Sequence, residues 1–168
     1  MKMKNLVLSI CVAGALFACK LPAFSQTSGN PVFKGWYADP EGIIYDDTYW
    51  IFPTWSDLYE KQTFFDCFSS KDLVNWEFVT YIFDKLDLGP DFHLEGDKGI
   101  YGNGIWAPAI RYHKGTFYVF VNVNDHGLQV FSAKNPAGPW THKNMGGRIY
   151  DLGILFDDDD KIYAVHGY

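Results

Sequence analysis

Residues 35–52 decide how this chain is read: Gly35-Trp36-Tyr37-Ala38-Asp39-Pro40-Glu41-Gly42-Ile43-Ile44-Tyr45-Asp46-Asp47-Thr48-Tyr49-Trp50-Ile51-Phe52. One carboxylate, Asp39, stands between an aromatic pair and a proline. Apolar Ile43-Ile44-Tyr45 follows, then acidic Asp46-Asp47, then Tyr49-Trp50-Ile51-Phe52. Two β-rich runs separated by turn residues predict a hairpin. The same pattern recurs at Trp106-Ala107-Pro108-Ala109-Ile110-Arg111-Tyr112, with turn His113-Lys114-Gly115 and a second run from Thr116 to Val121. It recurs again at Tyr150-Asp151-Leu152-Gly153-Ile154-Leu155-Phe156, with turn residues 157–160 and a run from Lys161 to Val165. The first and third copies hold an aspartate, Asp39 or Asp151, at the start of the first run.

The second halves of the repeats match as well. Phe68-Ser69-Ser70-Lys71-Asp72 and Phe131-Ser132-Ala133-Lys134-Asn135 stand 63 residues apart, and each leads through a turn to Trp76 or Trp140. A four-strand unit repeated with unequal loops is the signature of a β-propeller blade. The pattern favours that fold over a β-sandwich. Within the first unit, residues 53–59 read as a loop, 63–69 as a strand and 77–83 as an outer strand. Residues 84–103 carry few periodic apolar positions and read as a long loop overhanging the site.

The third copy stops at Tyr168, midway through its unit. About two and a half blades would leave open sheet edges. Residues 30–168 are therefore expected to be the N-terminal part of a five-bladed domain in a longer protein.

The bulk properties fit. Aromatic residues make up 18% of 168 residues, which suits strands rather than helices. A net charge of −6 argues against a nucleic-acid partner, whose phosphates need a basic face. Residues 1–25 read as an export signal: Lys2 and Lys4 precede an apolar run from Leu6 to Ala18, too short to span a bilayer. Two processing sites stay open. Cleavage after Ser25 gives a soluble exported protein, and Leu16-Phe17-Ala18-Cys19 would place a lipid on Cys19. The location expected is periplasmic or extracellular, with no membrane span beyond the signal. Cys67, in a strand-like run, reads as a buried small hydrophobe.

In a propeller the first strand of each blade lines the axis, so Asp39 and Asp151 should point into one cavity. Two carboxylates in an aromatic-walled cleft suit hydrolysis of a glycosidic bond. A lone Asp before Pro is more often a turn former; the paired placement outweighs that here. Asp46, Asp47 and residues 157–160 read as solvated turns, the last lacking the spaced ligands of a calcium loop. Trp36, Trp55 and Trp106 are candidates to stack on a sugar, and His126 could reach the mouth. Trp76 and Trp140 read as structural. No histidine has metal-ligand spacing.

The motifs Trp36-Tyr37-Ala38-Asp39-Pro40, Ser70-Lys71-Asp72-Leu73-Val74-Asn75-Trp76, Ile105-Trp106-Ala107-Pro108-Ala109-Ile110 and Tyr150-Asp151-Leu152 with Leu155-Phe156-Asp157-Asp158-Asp159 resemble glycoside hydrolase family 43. That family holds β-xylosidases, α-L-arabinofuranosidases and arabinanases on five-bladed propellers. The resemblance covers nearly all of residues 30–168. It implies an inverting hydrolase of pentose-containing polysaccharides, with Asp39 as general base. It implies that Asp151 orients the general acid and raises its pKa, and that Trp106 belongs to the substrate wall. Many members have Pro where Ala38 stands, but the Asp-Pro pair is kept. The family's general acid is a glutamate in a later blade, usually followed by Gly-Pro, and no such motif occurs here. The chain alone is therefore expected to lack hydrolytic activity. No cofactor is evident; a structural calcium ion in the full-length parent is implied by resemblance alone. A sugar-binding propeller without catalysis is the alternative. A related five-bladed fructan hydrolase would prefer Asn where Ala38 stands.

Overall fold

The computed structural model describes residues 29, 31–32, 34–35, 37–56, 63–83, 88–90 and 105–167, with the side chains of residues 55, 56, 63 and 64 left aside. The readings of residues 1–25, of Trp36 and of most of the loop at 84–103 lie outside them.

The described chain is all-β. Strands β1 (Tyr37–Tyr45), β2 (Thr48–Ser56), β3 (Thr63–Ser70) and β4 (Glu77–Phe83) form one antiparallel sheet in sequence order. Strands β5 (Ala109–His113), β6 (Thr116–Val123), β7 (Gly127–Ala133) and β8 (Thr141–Gly146) form a second of the same design. Strands β9 (Tyr150–Phe156) and β10 (Ile162–Gly167) pair as a third hairpin. Each sheet starts with the strand that the repeats mark as innermost.

The turns follow the local chemistry. Asp46 and Asp47 adopt φ of 50° and 51°, and Lys114 and Gly115 adopt 44° and 77°. Positive φ at both central residues matches the right-handed twist of a tight hairpin. The Lys71 ammonium donates to the carbonyls of Asp46 and Asp47, joining the two turns at that end of the sheet. The turn from third to fourth strand is built alike in both sheets. Asp72 Oδ1 accepts from the amides of Val74 and Asn75 at 2.9 and 2.8 Å, and Asn135 Oδ1 accepts from Ala137 at 2.8 Å. A short acceptor two residues ahead of a free amide closes such turns, which explains the matched Lys-Asp and Lys-Asn pairs. The same amides, with the Asn75 side chain, hold the Asp72 carboxyl well below the ordinary range.

One expectation is corrected. Residues 53–56 extend β2 rather than opening a loop. Proline cannot donate to a ladder and belongs at an irregularity. Pro53 sits at one. The β1–β2 register shifts between Glu41↔Phe52 and Ala38↔Thr54, while the β2–β3 ladder keeps its register but passes from Ile51↔Phe68 to Thr54↔Phe65 without pairing Pro53. Asp39 and Pro40 fall in the same gap.

Alternation then packs the sheets face to face. Phe52, Phe65, Cys67 and Ile82 of the first sheet bury against Ile110, Val119, Val121, Val123 and Phe131 of the second. Trp140 packs edge-on to Phe52 at 6.1 Å, so its structural reading holds. Burial pushes the Cys67 thiol up to about 12, as expected of an inert core cysteine. A smaller core joins Ala109 and Phe120 to Leu152 and Ile154 of β9. Ile44, Phe78 and Tyr81 stay exposed on the first sheet, and Leu155, Tyr163 and Val165 on the third hairpin.

Candidate active site

The inner strands lie side by side and run in one direction. Glu41 of β1 meets Ile110 and Arg111 of β5, and Tyr45 packs on Tyr112 further along. Arg111 in turn reaches Ile154 of β9, and His113 stacks on Phe156. The starts of β1, β5 and β9 therefore share one end of the assembly, and Asp39 and Asp151 stand at that end. Position 107, which aligns with Asp39 in the second copy, is Ala.

Both aspartates are exposed and both sit in the left-handed region inside a strand, at φ 46° for Asp39 and 48° for Asp151. The other described non-glycine residues with positive φ lie in turns. Each aspartate falls beside a slip in its ladder, Ala38/Glu41 in one and Val165/Gly167 opposite the other. Such backbone costs on the order of 1–2 kcal/mol in a residue with a Cβ. It turns the side chain off the regular alternation, and its clustering at one place is a pointer to function. The Thr54 hydroxyl donates to the Ala38 carbonyl at 3.2 Å and pins the first of these slips.

Aromatic and amide groups gather beside Asp151. The Trp106 indole donates from Nε1 to Asn124 Oδ1 at 2.6 Å, and its ring stands edge-on to Tyr150 at 5.2 Å. The Trp106 amide donates to the Asn122 carbonyl at 3.1 Å. Buried Asn122 accepts from the Ile149 amide through Oδ1 at 3.4 Å, fixing the approach to Tyr150 and Asp151. Trp55 lies in β2, paired with Tyr37, with only its backbone described.

A cavity of about 470 Å³ opens between the β6–β7 turn and the β8–β9 connection, lined by Asn122, Asn124, Asp125, His126 and Arg148 among others. Its shape depends on Gly127 at φ 74°, against which the Gly147 carbonyl packs so closely that a Cβ would stand 2.1 Å from it. Gln129, fully buried, donates to the carbonyls of His126 and Gly127 at 2.9 and 3.1 Å and holds the turn from below. His126 thus lines a cavity at the predicted end. Asn122, Asn124, Gln129 and Tyr150 were not singled out from sequence. Polar residues breaking the apolar run of β6 at its mouth end were the available signal.

Among the described residues no group of three or more His, Cys, Asp or Glu could hold a metal ion. Glu41 is engaged by Arg111 and the Ile110 amide. The calcium ion implied by resemblance belongs to the full-length parent, not to these residues.

The sheet order and the repeated inner strands, lying side by side, define an all-β fold built of blades. The sequence profile of glycosyl hydrolases family 43 matches residues 28–168, and the chain belongs to that family. It is 31% identical to a beta-D-galactofuranosidase of Aspergillus niger, matching 83% of this chain and 45% of that protein. It is 35% identical to a xylosidase/arabinosidase of Butyrivibrio fibrisolvens, over 82% of this chain and 26% of that one. With a non-reducing end alpha-L-arabinofuranosidase of Bacteroides ovatus the identity is 33%, over 93% of this chain and 29% of the relative. Among solved structures, a bifunctional GH43-CE protein of Bacteroides eggerthii superposes with a TM-score of 0.69 at 30% identity, over 83% of this chain and 20% of that one. The chain spans less than half the length of each of these relatives.

Proposed function

We propose that these residues form the N-terminal part of a five-bladed propeller in an exported hydrolase of pentose-containing polysaccharides. The apolar faces left exposed on the first and third sheets support further blades beside both. Relatives named as xylosidase and arabinofuranosidase support the substrate class.

The observation that carries the reading is the twinned distortion at Asp39 and Asp151, on neighbouring strands that run the same way. Asp39, exposed at the mouth, acts as general base: its carboxylate takes a proton from a water as that water attacks the anomeric carbon. Asp151 orients a carboxylic acid that protonates the leaving oxygen from the other side, and its negative charge raises that acid's pKa. Two carboxyl groups about 6.5–9.5 Å apart, with water between, invert the configuration. Trp106, braced by Asn124 and Tyr150, offers a ring to the C–H face of the sugar. The amides and charges around the cavity take its hydroxyls.

The acid is to be sought in the length of the relatives that this chain does not span. Glu41 is committed to Arg111, and Glu77 is exposed on the outer strand β4. That commitment also favours a second reading, a module that binds sugar without cleaving it. Hydrolysis of aryl β-xyloside and aryl α-arabinofuranoside by the gene product carrying residues 1–168 separates the two. Turnover abolished by Asp39→Asn supports the hydrolase. Turnover unaffected by Asp39→Asn overturns it, and oligosaccharide binding with no turnover supports the module. The 168-residue chain alone is expected to show none.

A further inference from the structure

One guanidinium touches all three sheets. Arg111 Nη1 donates to Glu41 Oε1 at 2.7 Å and to the Ile110 carbonyl at 2.6 Å, and Nε donates to the Ile154 carbonyl. Glu41 completes the link by accepting from the Ile110 amide through Oε2 at 2.5 Å. The ties fall two residues past Asp39 on β1 and three past Asp151 on β9. At the far ends of the strands, His113 and Lys114 reach Asp160 and join the second and third sheets, and Tyr45 bonds Tyr112 and joins the first and second; neither link spans all three.

We propose that Arg111 is a positioning residue that sets the spacing between Asp39 and Asp151. The significance of that spacing rests on the hydrolase reading; the clamp itself does not. Apolar packing between sheets is non-directional and tolerates sliding. A planar, always-charged fork with fixed donor directions does not. Bound to a carboxylate on one side and a strand carbonyl on the other, Arg111 fixes β1 and β9 relative to β5. Misplacement by about an ångström can cost a reaction about 100-fold, so a device that fixes separation acts on turnover rather than on binding.

Distances between nitroxide labels at Asp47→Cys and Asp158→Cys test the clamp in the chain, with Cys11 and Cys19 replaced by Ser and the inert Cys67 kept. Both label sites are exposed turns, on the first and third sheets. A single narrow distance distribution is expected for Arg111. Arg111→Met should shift or broaden it, Glu41→Gln should do the same, and combining them should add little, because paired residues are not additive. Arg111→Lys should recover it only in part. An unchanged distribution in a folded Arg111→Met, with only a lower melting temperature, would leave Arg111 a stabilising residue and overturn the proposal. Should Arg111→Met not fold, unchanged distributions in both Arg111→Lys and Glu41→Gln overturn it equally. In the gene product carrying residues 1–168, Arg111→Lys should lower kcat at least 10-fold with little change in KM. Wild-type protein without turnover would count against the hydrolase reading and leave the distances to judge the clamp.

Discussion

Asp39 and Asp151 share one unusual backbone state, φ 46° and 48°, inside strands that otherwise follow the regular alternation. They lie in different sheets and 112 positions apart in the numbering. In each case the strain comes with an exposed carboxylate at the mouth end. A distortion that recurs at corresponding positions of two repeats, and at no other described non-glycine strand position, marks those positions as used.

The strain makes a stability prediction with a sign. Asp39→Gly removes the Cβ from a left-handed position, while glycine adds entropy to the unfolded chain. The folded state should hold steady or gain about 0.5–1 kcal/mol in urea unfolding. Turnover by the gene product should fall by about 100-fold or more, as for loss of a general base. A marked loss of stability would mean that the Asp39 side chain holds the bulge itself.

Gly127→Ala should act in the opposite direction. The added methyl meets the Gly147 carbonyl, a backbone atom that cannot step aside, at a φ that disfavours any Cβ. A cost of about 2 kcal/mol or more is expected in denaturant midpoints. Amide shifts for residues 146–149 should follow it, since the connection to Asp151 rests there.

Trp106→Phe keeps a ring beside Tyr150 but leaves Asn124 Oδ1 without its donor. Loss of one such bond to a partly buried acceptor costs about 1–3 kcal/mol. Titration with xylo- and arabino-oligosaccharides, read by calorimetry, should show weaker binding for Trp106→Phe and weaker still for Trp106→Ala. Equal affinities in all three proteins would remove Trp106 from the sugar wall.

Asp66 governs a pH dependence. It is almost fully buried in β3, its Oδ1 has no hydrogen-bond partner among the described residues, and burial lifts its carboxyl from 3.8 to about 6, against the opposing hydrogen bond from Tyr37. Between those values the folded chain binds a proton that the unfolded chain has lost. This group therefore favours the folded state most in acid, and its contribution falls as pH rises through about 6. Asp66→Asn should be more stable than the native chain at pH 7.5, by on the order of 1–3 kcal/mol, with the gap closing below pH 4. Thermal melts at the two pH values check the sign.

The legible parts of this protein were those written in short-range chemistry. Asp46-Asp47 and Lys114-Gly115 announce hairpins because few residues accept positive φ. Asp72 and Asn135 announce matched turns because a short acceptor must reach an amide two residues on. Pro53 misled, because a proline in an otherwise strand-like run reads as an end when nothing shows that both neighbouring ladders skip it. Asn122 and Asn124 went unnoticed because alternation tells which face a side chain takes, not what awaits it there.

The amino-acid sequence on its own determined the repeats, the inner strands and the placing of an aspartate at the head of two of them, since periodicity and turn chemistry act over a few residues. Only the tertiary structure decided that Arg111 ties Glu41 to Ile154, that Trp106 meets Asn124 and Tyr150, and that Asp66 is buried. Those contacts join segments up to 70 residues apart. They exist because three sheets pack face to face, and strand pattern leaves the neighbours across that packing unspecified.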